Sequence, residues 1–132
     1  MLEKIYIEQT ELTPLIDFDL QKSIMKIKGI SVPEDAYTFY NPILNWIKIY
    51  KKKPIENSIF EFELDYFNTS SSKFLLEIMK KIKKIPHQKI IWTLYSDDED
   101  ILEVVHDYNS LLGNIITLNI KERKLTIQLA NE

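Results

Sequence analysis

The sequence predicts an α/β (α+β-like) fold: a mixed β-sheet with three main helices on one face, forming a two-layer sandwich. Three observations lead there. Runs of strict apolar and polar alternation open the chain, three stretches with apolar residues at helical spacing alternate with later strands, and most strands keep a polar alternate face that leaves one side of the sheet to water. With 132 residues, 45% of them hydrophobic, the chain can bury roughly two-thirds of its unfolded surface around one core. No linker, low-complexity stretch or repeat divides it, so residues 1–132 are expected to form one domain.

The elements follow in order. Ile5 and Ile7, then Ile16, Phe18 and Leu20, then Met25 and Ile27 alternate with polar neighbours, which predicts an antiparallel meander. Ser31-Val32-Pro33-Glu34 reads as a capping box with proline in the first turn, followed by Ala36, Phe39, Tyr40, Ile43, Ile47 and Tyr50 at helical spacing. Pro42 removes the amide that would bond the Thr38 carbonyl, which predicts a kink or a separate short turn. Beyond Lys51-Lys52-Lys53-Pro54, Phe60, Phe62, Leu64 and Tyr66 share one strand face and Glu61, Glu63 and Asp65 the other.

A polar turn, Asn68-Thr69-Ser70-Ser71-Ser72-Lys73, leads into Phe74, Leu75, Ile78, Met79, Ile82 and Ile85, an amphipathic helix whose end carries Lys80, Lys81, Lys83 and Lys84. Ile90, Trp92 and Leu94 predict the next strand. Ser96-Asp97-Asp98-Glu99 reads as the cap of a third helix carrying Ile101, Leu102, Val105, Tyr108 and Leu112 and closed by Gly113. Ile116, Leu118 and Ile120, then Leu125, Ile127 and Leu129, predict a final hairpin turning at Glu122-Arg123, whose first strand completes a β-α-β-α-β run.

Composition excludes several classes of function. Lys+Arg 17 against Asp+Glu 20 leaves −3, without the global attraction to phosphate backbones that nucleic-acid binders use. Cys 0 removes disulfides, thiolate nucleophiles and sulfur-ligated zinc, and His 2 is too few for a three-histidine metal centre. Gly29 and Gly113 are the only glycines, which cannot supply a P-loop or a G-x-G-x-x-G turn. The opening Met1-Leu2-Glu3-Lys4-Ile5-Tyr6 lacks a signal-peptide pattern and no run approaches a spanning helix, so a cytoplasmic location without membrane insertion is expected. On that expectation the sequon Asn68-Thr69-Ser70 is a chance match. No cofactor, metal ligand or catalytic residue is assigned.

In such a sheet the loops after the carboxyl ends of parallel strands gather at one edge, which should bring Asn68 to Ser72 beside Ser96 to Asp100. Thr69, Ser70, Ser71 and Ser72 place consecutive hydroxyls at a helix amino end, where free N–H groups and the dipole favour an added anion. The plainer reading makes Thr69 or Ser70 the N-cap and the others solvated first-turn residues. The run Asp97, Asp98, Glu99 and Asp100 is explained by the dipole of the following helix before metal binding need be invoked. Lys80 to Lys84 suit a helix carboxyl end and Lys51 to Lys53 a solvated connection, with a basic docking patch the lesser alternative. His87 and His106 read as surface or structural residues, and Trp46 and Trp92 as core or edge anchors.

Tyr66-Phe67-Asn68-Thr69-Ser70-Ser71-Ser72-Lys73 resembles the signature of the SiaC family of bacterial regulatory phosphoproteins. The likeness extends to Tyr6-Ile7-Glu8, Pro14 with Asp17-Phe18, Ser31 to Glu34, Phe39-Tyr40-Asn41-Pro42 with Leu44 and Trp46, and Asp97 to Asp100. The resemblance implies a fold similar to STAS-domain anti-sigma-factor antagonists. It implies a threonine, by position Thr69, phosphorylated by a dedicated kinase of the SiaB type and dephosphorylated by a PP2C-type phosphatase. It implies that the unphosphorylated form binds and activates a diguanylate cyclase, or here another effector. Ser70 and Ser71 are the lesser candidate acceptors, and Asn68, Ser70, Ser71, Lys73, Asp97, Asp98 and Glu99 are candidate contacts for partner or kinase. Two other readings stand beside the switch: a small hydrolase using the Asp97 to Asp100 carboxylates, which would need a pocket where they converge, and a constitutive interaction scaffold.

Overall fold

The computed structural model describes residues 2–123. Six strands, β1 (Ile5–Ile7), β2 (Leu15–Asp19), β3 (Ile24–Ser31), β4 (Ser58–Phe67), β5 (Gln88–Tyr95) and β6 (Ile116–Lys121), form one sheet in sequential order. Helices α1 (Ala36–Tyr50), α2 (Thr69–Lys83) and α3 (Glu99–Leu112) connect the last four strands. β1, β2 and β3 form the expected antiparallel meander, whereas β3 to β6 run parallel, so α1 also makes a crossover. The second strand of the expected final hairpin, Leu125 to Leu129, lies outside the described residues.

Alternation decides the layers. Phe18, Met25, Ile27, Phe60, Phe62, Ile90 and Trp92 point into a core shared with Tyr40, Ile43, Ile47, Leu75, Ile78, Met79 and Val105 of the helices. The other face is polar: Glu63 pairs there with Lys28 and Lys121. α2 contacts both α1 and α3, and the helical layer covers one side as predicted.

The helix starts differ from their sequence signatures. Ser31 ends β3 fully buried, and Asp35 caps α1 by accepting the Thr38 N–H at 3.2 Å and the Thr38 hydroxyl at 2.7 Å. Those bonds hold the exposed Asp35 carboxyl below its ordinary pKa, the side-chain bond to Thr38 being the larger cause. α1 is one continuous helix with Pro42 inside it, so of the two expected alternatives, a kink or a separate short turn, the second does not occur. Asp98 occupies the N-cap of α3 with no side-chain bond, and Ser96 instead hydrogen-bonds Glu122 at 3.2 Å. Gly113 closes α3 in the left-handed conformation, as its position predicted.

A bulge alters the end of β4. Leu64 opposes Gly29 but Tyr66 opposes Ile30, so Asp65 is an extra residue. Gly29 has φ +125, and a Cβ there would stand 3.0 Å from the Gln9 side chain. The inserted residue reverses the alternation: Tyr66, expected on the buried face, is 58% exposed, and Phe67 turns toward Trp92, ring centroids 5.9 Å apart. β4 and β5 pair only as far as Phe62 and Trp92, after which β4 follows β3 and β5 follows β6. The sheet therefore divides at its carboxyl edge.

Candidate functional site

The Asn68 to Lys73 segment sits at that edge, where β4 turns into α2. Asn68 is the N-cap: its extended backbone ends the strand and its Oδ1 accepts the Ser71 N–H at 2.9 Å. Neither Thr69 nor Ser70 caps the helix, contrary to the plainer sequence reading. Thr69 is the first helical residue and Ser70 the second; both are exposed, and neither hydroxyl has a hydrogen-bond partner among the described residues. Lys73, one turn further, is also exposed and shares the Thr69 face of the helix.

The next two hydroxyls are committed to the framework. Ser71 is fully buried and donates to the Ser31 carbonyl at 2.9 Å, an oxygen that also accepts the Asn68 N–H at 3.1 Å. The Ser31 hydroxyl donates to Ser71 Oγ at 2.8 Å, so the Tyr40 phenol must donate to Ser31. Ser72 and Tyr108 form a second pair: Tyr108 donates to the Ser72 carbonyl at 2.9 Å, leaving the Ser72 hydroxyl to donate to the phenol oxygen at 2.6 Å. Burial pushes the Tyr40 phenol up to about 12, with the bonds from Ser31 and Ser71 pulling the other way. Burial likewise raises Tyr108 to about 12 against its bond to Ser72.

These contacts fasten the start of α2 to β3, α1 and α3. Ser72 was read from sequence only as a solvated hydroxyl of the segment, and Ser31, Tyr40 and Tyr108 were not read as its partners. The signal available was a pair of tyrosines on apolar helical stripes, whose hydroxyls need buried partners.

The acidic loop is held separately. Arg123 Nε bonds both Asp97 oxygens, at 2.9 and 3.2 Å, and its guanidinium lies 4.3 Å from the Tyr95 ring centroid. The Arg123 bond holds the Asp97 carboxyl below its ordinary value and raises Arg123 in turn. Ser96 donates its N–H to Lys121. Asp98 is half-buried, and Glu99 and Asp100 are exposed in the first turn of α3. No hydrogen bond or ion pair joins this loop to Asn68 through Lys73 among the described residues, because β4 and β5 have already parted. The two loops share the edge without forming one constellation.

Aromatic side chains flank the hydroxyl segment. Tyr66 precedes it, and Tyr37, 61% exposed, lies 6.4 Å between centroids from Phe74, which stacks on Tyr40 at 5.6 Å. Clefts of about 470, 360 and 560 Å³ lie elsewhere, and none is lined by Asp97, Asp98, Glu99 or Asp100. No group of three potential metal ligands occurs among the described residues, and no helix there is long and apolar enough to cross a membrane. His87 and His106 are both exposed.

Comparison with known proteins agrees with this geometry. An uncharacterized protein of Pseudomonas aeruginosa (strain UCBPP-PA14) is 24% identical over 115 residues, covering 81% of this chain and 88% of its own. The structure of SiaC of Pseudomonas aeruginosa superposes with a TM-score of 0.80 at 19% identity, covering 90% of this chain and 99% of that one. A chain in the crystal structure of the diguanylate cyclase SiaD in complex with its activator SiaC, from the same organism, gives 0.81 at 20% identity, covering 89% and 99%. These neighbours share the fold. The model of the SiaC family regulatory phosphoproteins matches residues 7–123, which include every strand and helix from β2 to β6 together with the hydroxyl segment, and the chain belongs to that family.

Proposed function

We propose that this chain is a non-enzymatic signalling switch in which reversible phosphorylation of Thr69 controls binding to a partner, a diguanylate cyclase activated by the unmodified form. The carrying observation is the division of labour in one helical turn. Asn68 supplies the cap, Ser71 and Ser72 are held in buried or half-buried bonds, and Thr69 presents an uncommitted hydroxyl at an exposed helix start. Ser70 shares that exposure and is the second candidate acceptor; Ser71 would have to leave the core to be modified. A dedicated kinase and a PP2C-type phosphatase complete the proposed cycle.

Phosphorylation adds about −1.5 to −2 charge and three acceptor oxygens. The amino end of α2 and Lys73 can accommodate that charge without refolding. A partner seated over Tyr66 and Tyr37 would have to bury it, and desolvating an unpaired dianion weakens such an interface. Aspartate carries one charge and fewer oxygens, so Thr69→Asp should imitate the modified state only in part. Support for a cyclase partner comes from the related activator's complex with SiaD.

The test is mass and fragment analysis of protein isolated with its kinase and phosphatase present, beside Thr69→Ala, followed by cyclase assays with each form. Phosphate confined to Thr69, and cyclase stimulation by the unmodified and Thr69→Ala proteins alone, is the expected result. Phosphate elsewhere, or equal stimulation by both forms, overturns the reading.

A further inference from the structure

The helix ends opposite the switch gather lysines that the cycle above does not use. Thr69 opens α2 and Lys83 closes it, about 21 Å away at 1.5 Å per residue. There, a groove of about 470 Å³ between α1 and α2 places Lys48, Lys51, Lys81 and Lys84 around Leu44 and Ile47. An adjoining groove of about 360 Å³, between α2 and α3, is lined by Lys80, Lys81, Lys83 and Lys84 with Leu111 and Leu112. Lys81 and Lys84 form the ridge common to both.

Cations at a helix carboxyl end complement its dipole, and part of the cluster is explained in that way. Lys83 Nζ reaches the Gly113 turn that closes α3, 3.6 Å from where a Cβ would stand, and Lys81 pairs with Glu77 at 3.7 Å. Lys48, Lys51, Lys80 and Lys84 have no ion pair among the described residues. Lys80 and Lys84 stand four residues apart on one helix face, a like-charge spacing that destabilises a helix. A chain with net charge −3 thus concentrates six lysines at two adjoining grooves, beyond what capping two helices needs.

We infer that this basic end is a second docking surface, fitted to an acidic amphipathic polypeptide segment of a partner protein. The lysines are spread along two grooves, an arrangement ill suited to one phosphate group and suited to several separate carboxylates. The recessed apolar floors at Leu44, Ile47 and Leu112 need side chains that can fill them, which a flat lipid surface or a nucleic-acid backbone does not offer. Glutamates flanking leucines on a helix satisfy both the rims and the floors. Leu111, 67% exposed, extends the apolar contact.

The probe is a synthetic helical peptide with leucines along one face and glutamates on both flanks, titrated into the isotopically labelled full chain while amide shifts are followed. The same peptide with lysines for glutamates, a short DNA duplex and vesicles containing phosphatidylserine are titrated alongside. Shifts confined to residues 44–51, 80–84 and 111–112 are expected, with affinity falling as salt rises. Lys48→Glu with Lys84→Glu should weaken binding about tenfold, whereas Thr69→Ala should leave it unchanged. Shifts elsewhere, affinity indifferent to charge reversal, no binding, or tighter binding to DNA or vesicles would each overturn the inference.

Discussion

Because Asn68 caps α2, the Thr69 hydroxyl is free of any part in holding the helix start, and the proposed modification there is separable from stability. Thr69→Ala removes an exposed hydroxyl without a bonded partner, and should change the unfolding free energy by no more than about 0.5 kcal/mol. Asn68→Ala loses the cap bond to Ser71 and should cost about 1 kcal/mol. Ser71→Ala takes one of two partners from each Ser31 oxygen and leaves one buried hydroxyl proton of the Ser31–Tyr40 pair without an acceptor, which should cost about 1–3 kcal/mol. Urea unfolding of the three variants checks this ranking; a Thr69→Ala loss as large as that of Asn68→Ala would show that the hydroxyl supports the helix. The hydroxyl block itself was plain in the sequence. Its internal ranking was not, because Asn, Ser and Thr all cap well, and the fate of Ser71 depends on Ser31, forty positions away.

Elements were legible in kind and misread at their ends. Two serine-to-glutamate capping patterns, at Ser31 and Ser96, gave way to strand length: β3 runs through Ser31 and β5 through Tyr95 before either helix can start. Tyr66 was misplaced because a one-residue bulge reverses alternation, and Gly29, the residue that permits it, lies in the neighbouring strand. What joins the elements at this edge is phenolic. Tyr40 links α1 to β3, and Tyr108 links α3 to α2. Burial raises both above the ordinary 10.0, to about 12, so their neutral forms contribute stability in full below pH 10 and progressively less as pH rises toward 12. Phenolate absorbance titrations of Tyr40→Phe and Tyr108→Phe should each lose one late step near pH 12, and both variants should flatten the alkaline fall in stability. A variant that keeps both late steps would place the replaced phenol outside the network.

At the scale of the molecule, the two-layer architecture followed from alternation and helical spacing alone, since each strand buries one face and each helix one stripe. The parting of β4 from β5 did not, because strand register beyond Phe62 and Trp92 is set by contacts with opposite neighbours. Trp92 sits at that fork. It is fully buried, stacked on Phe62, with Phe67 and Tyr108 rings each 5.9 Å away and its indole N–H without a hydrogen-bond partner among the described residues. Phe67 leads into Asn68, and Tyr108 grips Ser72. An indole kept from water and from hydrogen-bond acceptors emits at short wavelength, so the protein contains its own optical gauge at the root of the Asn68–Ser72 turn. With Trp46→Phe removing the second indole, adding phosphate at Thr69 should leave the blue emission of Trp92 in place if the turn stays seated. A red shift on modification would instead mean that the modified turn pulls away from the fork and admits solvent, making phosphorylation a mechanical event as well as an electrostatic one.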